Sequence, residues 1–95
     1  MTGMKWSRLA QADLAQIDEY YQAGDPDFAD LIGHEAIRAA RFLLANPDAG
    51  VRTGLGEVRK WPVPNTPYLL FYRRDGSDIR ILRVRHNRQN WKLPQ

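Results

Sequence analysis

The sequence has no cysteine. That excludes disulfides, thiolate catalysis and cysteine-ligated zinc, and it points to a reducing, cytoplasmic setting. Histidine is nearly as scarce: only His34 and His86 occur, 52 residues apart and without HExxH-type spacing. No metal and no cofactor is therefore expected. His34 reads as a surface or partly buried helix residue. Long apolar runs are also missing, since none approaches the ~20 residues a membrane-spanning helix needs. The opening Met1-Thr2-Gly3-Met4-Lys5 leads into polar sequence, so neither a signal peptide nor a membrane partner is expected. Phosphate-cradling glycine motifs are absent too. Gly54-Leu55-Gly56 lacks the following glycine and opens a strand, so it reads as a turn. Asp18 and Glu19 are adjacent on a helix and diverge, so they form a solvated face and not a paired-carboxylate site.

What is present fits one domain over residues 1–95, with 43% hydrophobic and 26% charged residues. The net charge of +3 conceals a division. Residues 1–50 hold four Lys/Arg against eight Asp/Glu, a net of −4. Residues 51–95 hold ten Lys/Arg against three acids, a net of +7. An asymmetry of that size in a small domain describes partners as well as solubility.

The hydrophobic period divides at the same place. Met4 to Ser7 reads as a very short strand, and Ser7 can cap the helix that follows. Ala10, Leu14, Ile17 and Tyr21 form one helical stripe, with Asp13, Gln16 and Asp18 mostly off it. Gly24-Asp25-Pro26 stops that helix. Asp25 then caps a second one with Pro26 at its first position, and Asp27 and Asp30 suit its positive end. Its stripe is Phe28, Ile32, Ala36, Ala39 and Leu43, with Leu31 and Phe42 expected to widen it. Asn46-Pro47-Asp48-Ala49-Gly50 is a turn cluster, so the two helices make a hairpin.

After Gly56 the period becomes 2. Glu57 to Val63 is a strand weakened at Pro62, which argues for an edge position or an early end. Pro64 to Pro67 is a turn, and Tyr68 to Arg73 is an apolar run covered on both faces. Asp75-Gly76 marks a tight hairpin. Asp78 to Arg85 alternates: Arg80, Leu82, Val84 and His86 on one face, Ile79, Ile81, Arg83 and Arg85 on the other. The expected fold class is α+β, a helical hairpin packed on a small, mostly antiparallel sheet. Acidic helices would then back a basic sheet and tail.

The residues left for function are Arg59, Lys60, Arg73, Arg83, Arg85, His86 and Arg88, with Trp61, Tyr68, Tyr72 and Trp91 among them. Arg83 and Arg85 share a face, and their repulsion calls for a counter-charge, an acidic partner or a phosphate. Tyr68 and Tyr72 are expected in the core beneath the helices more than stacked on bases. His86 with Arg88 is the only plausible acid–base arrangement, and a histidine finishing a strand accounts for it as well.

The ordered set Trp6-Ser7, Ala12-Asp13-Leu14, Asn46-Pro47-x-x-Gly50, Gly56-x-Val58-Arg59, Pro67 to Arg73, and Ile81-Leu82-Arg83-Val84-Arg85-His86-x-Arg88-Gln89-x-Trp91 resembles the ParE/RelE toxin superfamily of bacterial type II toxin–antitoxin modules. It is closer to ParE. RelE-like ribosome-dependent mRNA nucleases carry clustered lysines and arginines and often a C-terminal tyrosine or histidine. Here the second half has only Lys60 and Lys92, and Trp91 occupies the region of that tyrosine without any acid–base capacity. The ParE resemblance implies a non-enzymatic poison of DNA gyrase, neutralised by an antitoxin whose acidic, partly disordered segment folds on binding. Arg59, Lys60, Arg73, Arg83, Arg85, Arg88 and Trp91 are the residues expected to meet target or antitoxin. The alternative is a RelE-like endoribonuclease acting on ribosome-bound mRNA, using His86 with Arg83, Arg85 and Arg88. A third reading is a nucleic-acid or partner-binding module that is no longer toxic.

Overall fold

The hydroxyl of Ser7 sets where the first helix begins. In the computed structural model, which describes residues 3–88, this oxygen accepts the Ala10 N–H at 3.0 Å and donates to the Leu82 carbonyl at 2.8 Å. One side chain thus caps the helix and ties its start to the last strand. Strand β1 (Met4–Trp6) precedes helix α1 (Arg8–Gln22). Helix α2 (Pro26–Ala45) starts one turn later, with the Asp25 carboxylate accepting the Phe28 N–H at 3.2 Å and Pro26 in the first turn. Four strands follow: β2 (Val51–Arg52), β3 (Arg59–Pro62), β4 (Tyr68–Asp75) and β5 (Asp78–His86).

The sheet order is β1-β5-β4-β3-β2, with β1 parallel to β5 and every other pairing antiparallel. The mostly antiparallel sheet is as expected, and β4 lies at its centre, which explains why its sequence reads as continuously apolar. Pro62 ends β3, as its missing N–H requires. The two-residue β2, which gives no periodic signal of its own, pairs with the other end of that strand.

The core lies between the helices and one sheet face. Ala10, Ile32, Ala36, Ala39, Ala40 and Leu43 pack there against Val63, Tyr68, Leu70, Tyr72, Ile79, Ile81 and Val84. Leu14, Ile17, Tyr21 and Phe28 border it, so both helical stripes are where their spacing places them. Leu31 and Phe42 do not widen the α2 stripe; both are exposed, and Ala29, Glu35 and Ala40 are buried instead.

The alternation expected along β5 is interrupted. A register shift between Phe71 and Tyr72 makes Tyr72 pair with Ile81 and Phe71 with Arg83, leaving Leu82 as the extra residue. Ile79, Ile81 and Val84 therefore all face the helices. Arg80 lies on the opposite face, and beyond the bulge so does Arg85.

The turn after α2 is pinned from the sheet. The buried Tyr72 hydroxyl accepts the Gly50 N–H at 2.9 Å and donates to the Pro47 carbonyl at 2.8 Å. A Cβ on Gly50 would lie 2.6 Å from the Tyr72 ring, which leaves room only for glycine.

Candidate functional site

Strand parity sorts the candidate cations. Arg59 pairs with Tyr72 and so lies on the helix side of β3, where its guanidinium donates to the Gly50 carbonyl at 2.8 Å and sits 3.7 Å from the Asp48 carboxylate. It is an anchor of the Pro47–Gly50 turn. Lys60 pairs with Phe71 and Arg73 with Arg80, which places them on the face turned away from the helices. Phe71 is fully buried on that face, outside the cluster beneath the helices. Arg73 and Arg88 are exposed. Trp91 and the polar tail from Gln89 lie outside the described residues.

Arg83 has its counter-charge within the chain. Its Nε donates to Asp13 Oδ2 at 2.8 Å and its Nη2 to Oδ1 at 3.0 Å, a bidentate pair between β5 and α1. Oδ2 also accepts the Val84 N–H at 2.9 Å. Strand β1 has already ended at Trp6, so Asp13 satisfies an edge donor that no strand reaches. The two side chains are only 15% and 13% exposed. Hydrogen bonding to Asp13 raises the pKa of Arg83 above its ordinary value, so its charge is fixed at any working pH.

Beside this pair lies a cleft of about 180 Å³ lined by Asp13, Gln16, Tyr68, Arg83, Arg85 and His86, with Ile17 and Val84. The fold thus brings His86, Arg83 and Arg85 together, while Arg88 follows them in the turn. Arg85 Nε is buried and has no hydrogen-bond partner among the described residues. His86 sits edge-on to Tyr68, ring centres 5.4 Å apart, and its Nδ1 accepts the Arg88 backbone N–H at 3.0 Å. In the neutral ring the proton then resides on Nε2. Burial, followed by hydrogen bonding with Tyr21, pushes the Tyr68 pKa up, so its phenol stays protonated. Tyr72 is raised likewise, chiefly by burial. At neutral pH the cleft therefore offers guanidinium and phenol donors, an arrangement suited to holding an anion more than to removing a proton.

Asp13, expected mostly off the α1 stripe, joins the site, and Tyr68, expected in the core, lies both in the core and on the cleft wall. A signal for Asp13 exists: it stands three residues after Ala10 and four before Ile17, on the buried stripe itself. Among the described residues no cluster of three or more His, Asp or Glu could hold a metal, and no helix is long and apolar enough to cross a membrane.

Comparison with known proteins adds three findings. The family model for the ParE toxin of the type II toxin–antitoxin system parDE matches residues 4–91. A solved structure from the chromosomal ParDE system of P. aeruginosa superposes with a TM-score of 0.79 at 29% identity, covering 90% of this chain and 96% of that one. Among curated proteins there is no significant match.

Proposed function

The chain belongs to the ParE toxin family of type II toxin–antitoxin systems, and from that premise we propose that it poisons DNA gyrase in the cytoplasm and is neutralised by a cognate antitoxin. The family match across residues 4–91 carries the reading. The cleft agrees with it, because its one imidazole accepts a backbone N–H and its phenol is locked in the protonated form. Antitoxin recognition uses both layers. An amphipathic antitoxin helix docks on the apolar residues the hairpin leaves exposed, Leu31 and Ile37 among them. An acidic extended segment follows the sheet face that bears Lys60, Arg73 and Arg85, and ends at Arg85, whose Nε has no hydrogen-bond partner among the described residues.

The runner-up is a ribosome-dependent endoribonuclease, favoured by one observation: His86, Arg83 and Arg85 line a common cleft. Inducing the chain in cells and assaying DNA double-strand breaks separately from cleavage of ribosome-bound mRNA distinguishes the two. Breaks with intact mRNA are the expected result; cut mRNA without breaks overturns the gyrase reading, and neither effect leaves a binding module. For the antitoxin, Arg85→Glu is the appropriate probe, since Arg83 is committed to Asp13. Unchanged affinity at low salt would reject the sheet half of the reading.

A further inference from the structure

A second recess lies between α2, β3 and the turn after it, on the flank opposite the basic cleft. This groove of about 330 Å³ is lined by Glu35, Arg38, Phe42, Trp61, Pro64 and Asn65, together with Ala39. Glu35 is 6% exposed and is the one charged residue buried among the described residues. Its position follows from the α2 stripe, three residues after Ile32 and four before Ala39. Its Oε1 accepts Arg38 Nη1 at 3.2 Å, but that guanidinium sits one turn along the same helix and is 65% exposed. A single bond from a solvated cation is thin compensation for a carboxylate taken out of water.

The neighbouring wall is aromatic. The rings of Phe42 and Trp61 are stacked, 5.2 Å between centres at 18°, and Phe42 is 44% exposed. Pro64 and Asn65, the latter at a φ of 65°, set the far lip. A buried carboxylate beside an aromatic stack with one ring exposed and the other half-buried is the combination that recognises a guanidinium. The carboxylate pairs with its edge, and the rings lie against its plane.

We propose that this groove receives an arginine side chain from a partner chain, which pairs with Glu35 and lies along the Phe42–Trp61 stack. Arginine fits better than lysine because its planar fork serves both surfaces at once, and Arg38 already demonstrates that Glu35 accepts a guanidinium. The assignment stands apart from the gyrase reading: it concerns another flank and asks for the opposite charge from the basic cleft.

The test is an NMR titration of the full-length ¹⁵N-labelled chain with Nα-acetyl-arginine methylamide, following the Trp61 indole N–H. That resonance is identified by its loss in Trp61→Phe. A saturable shift is expected, with affinity in the millimolar range. The uncharged citrulline analogue should bind about tenfold more weakly or worse, and the lysine analogue should fall between. Glu35→Gln keeps the side-chain shape and should cost arginine about tenfold in affinity. Phe42→Leu, which keeps the Trp61 reporter, should weaken it severalfold while leaving spectral dispersion intact. Equal responses to arginine and citrulline overturn the proposal. So does an undiminished response in Glu35→Gln, or a Trp61 resonance that stays still up to roughly 50 mM.

Discussion

Replacing Arg83 with alanine tests how far this fold depends on one ion pair. The substitution leaves the Asp13 carboxylate, 13% exposed, with only the Val84 N–H as a donor among the described residues. Breaking a buried pair from one side typically costs 3–5 kcal/mol, and the residual exposure here argues for the low end, about 3 kcal/mol. In a domain of this size each kcal/mol lowers Tm by roughly 4–8 °C, so a drop of about 12–24 °C is expected. Asp13→Ala should cost a similar amount, because it orphans both the guanidinium and the Val84 N–H. If the pair acts as a unit, the double mutant loses much less than the sum, a coupling of at least about 2 kcal/mol. Thermal and urea unfolding of the antitoxin-free chain, followed by circular dichroism, measures all four corners of this cycle. Single-mutant losses below about 1 kcal/mol, or additivity within ~0.5 kcal/mol, would refute the claim that Arg83 is an internal strut. The same data govern binding assays, since lost binding in an Arg83 variant counts as a lost contact only where its fold is shown to be intact.

Removing the Tyr72 hydroxyl with Tyr72→Phe strands the Gly50 N–H and the Pro47 carbonyl. A loss of about 2–3 kcal/mol in urea midpoint analysis is expected, with Gly50→Ala equally harmful through the 2.6 Å clash; wild-type stability in both would show the turn is not pinned from the sheet. Stability should also fall at high pH. Tyr68 and Tyr72 have folded-state pKa values raised by burial, so the native state holds protons the unfolded chain releases. Their contribution is complete below about pH 10 and decays above it by up to about 1.4 kcal/mol per pH unit for each tyrosine. Unfolding midpoints measured from neutral to alkaline pH should bend downward there, and the bend should shrink in Tyr68→Phe. Ser7→Ala removes both the helix cap and the link to Leu82, so about 1–2 kcal/mol should be lost; no change in thermal midpoint would assign the cap no role.

The features legible in the sequence were those with local causes. Ser7 and Asp25 announce their helices because a cap needs only its own first turn, and the run from Tyr68 to Arg73 announces a central strand because both its faces are covered. The features that escaped are settled by distant partners. Nothing within Val51–Arg52 specifies a strand; its pairing with Arg59 and Lys60 does. The bulge at Leu82 arises from register with β4, and it reverses the face of Val84 and His86 relative to strict alternation. For Asp13 and Glu35 the information was local after all. Each acid stands on a buried helical stripe, where an unpaired carboxylate is costly, so each demands a cation. Asp13 receives one from β5 at 2.8 Å, and an exposed Arg38 serves Glu35 only in part. The charge division of the chain therefore has two origins. Asp13, Asp48, Asp75 and Asp78 pair part of the basic excess within the chain, with Arg83, Arg59, Arg74, Arg80 and Lys5. Arg52, Arg73 and Arg88, exposed and outside every ion pair among the described residues, and Arg85, whose Nε is buried without a hydrogen-bond partner among them, belong to the positive charge left for a partner to neutralise. A salt titration of antitoxin binding should then show a slope set by these unpaired cations, unchanged when one already paired within the chain, such as Lys5 with Asp78, is replaced by glutamine.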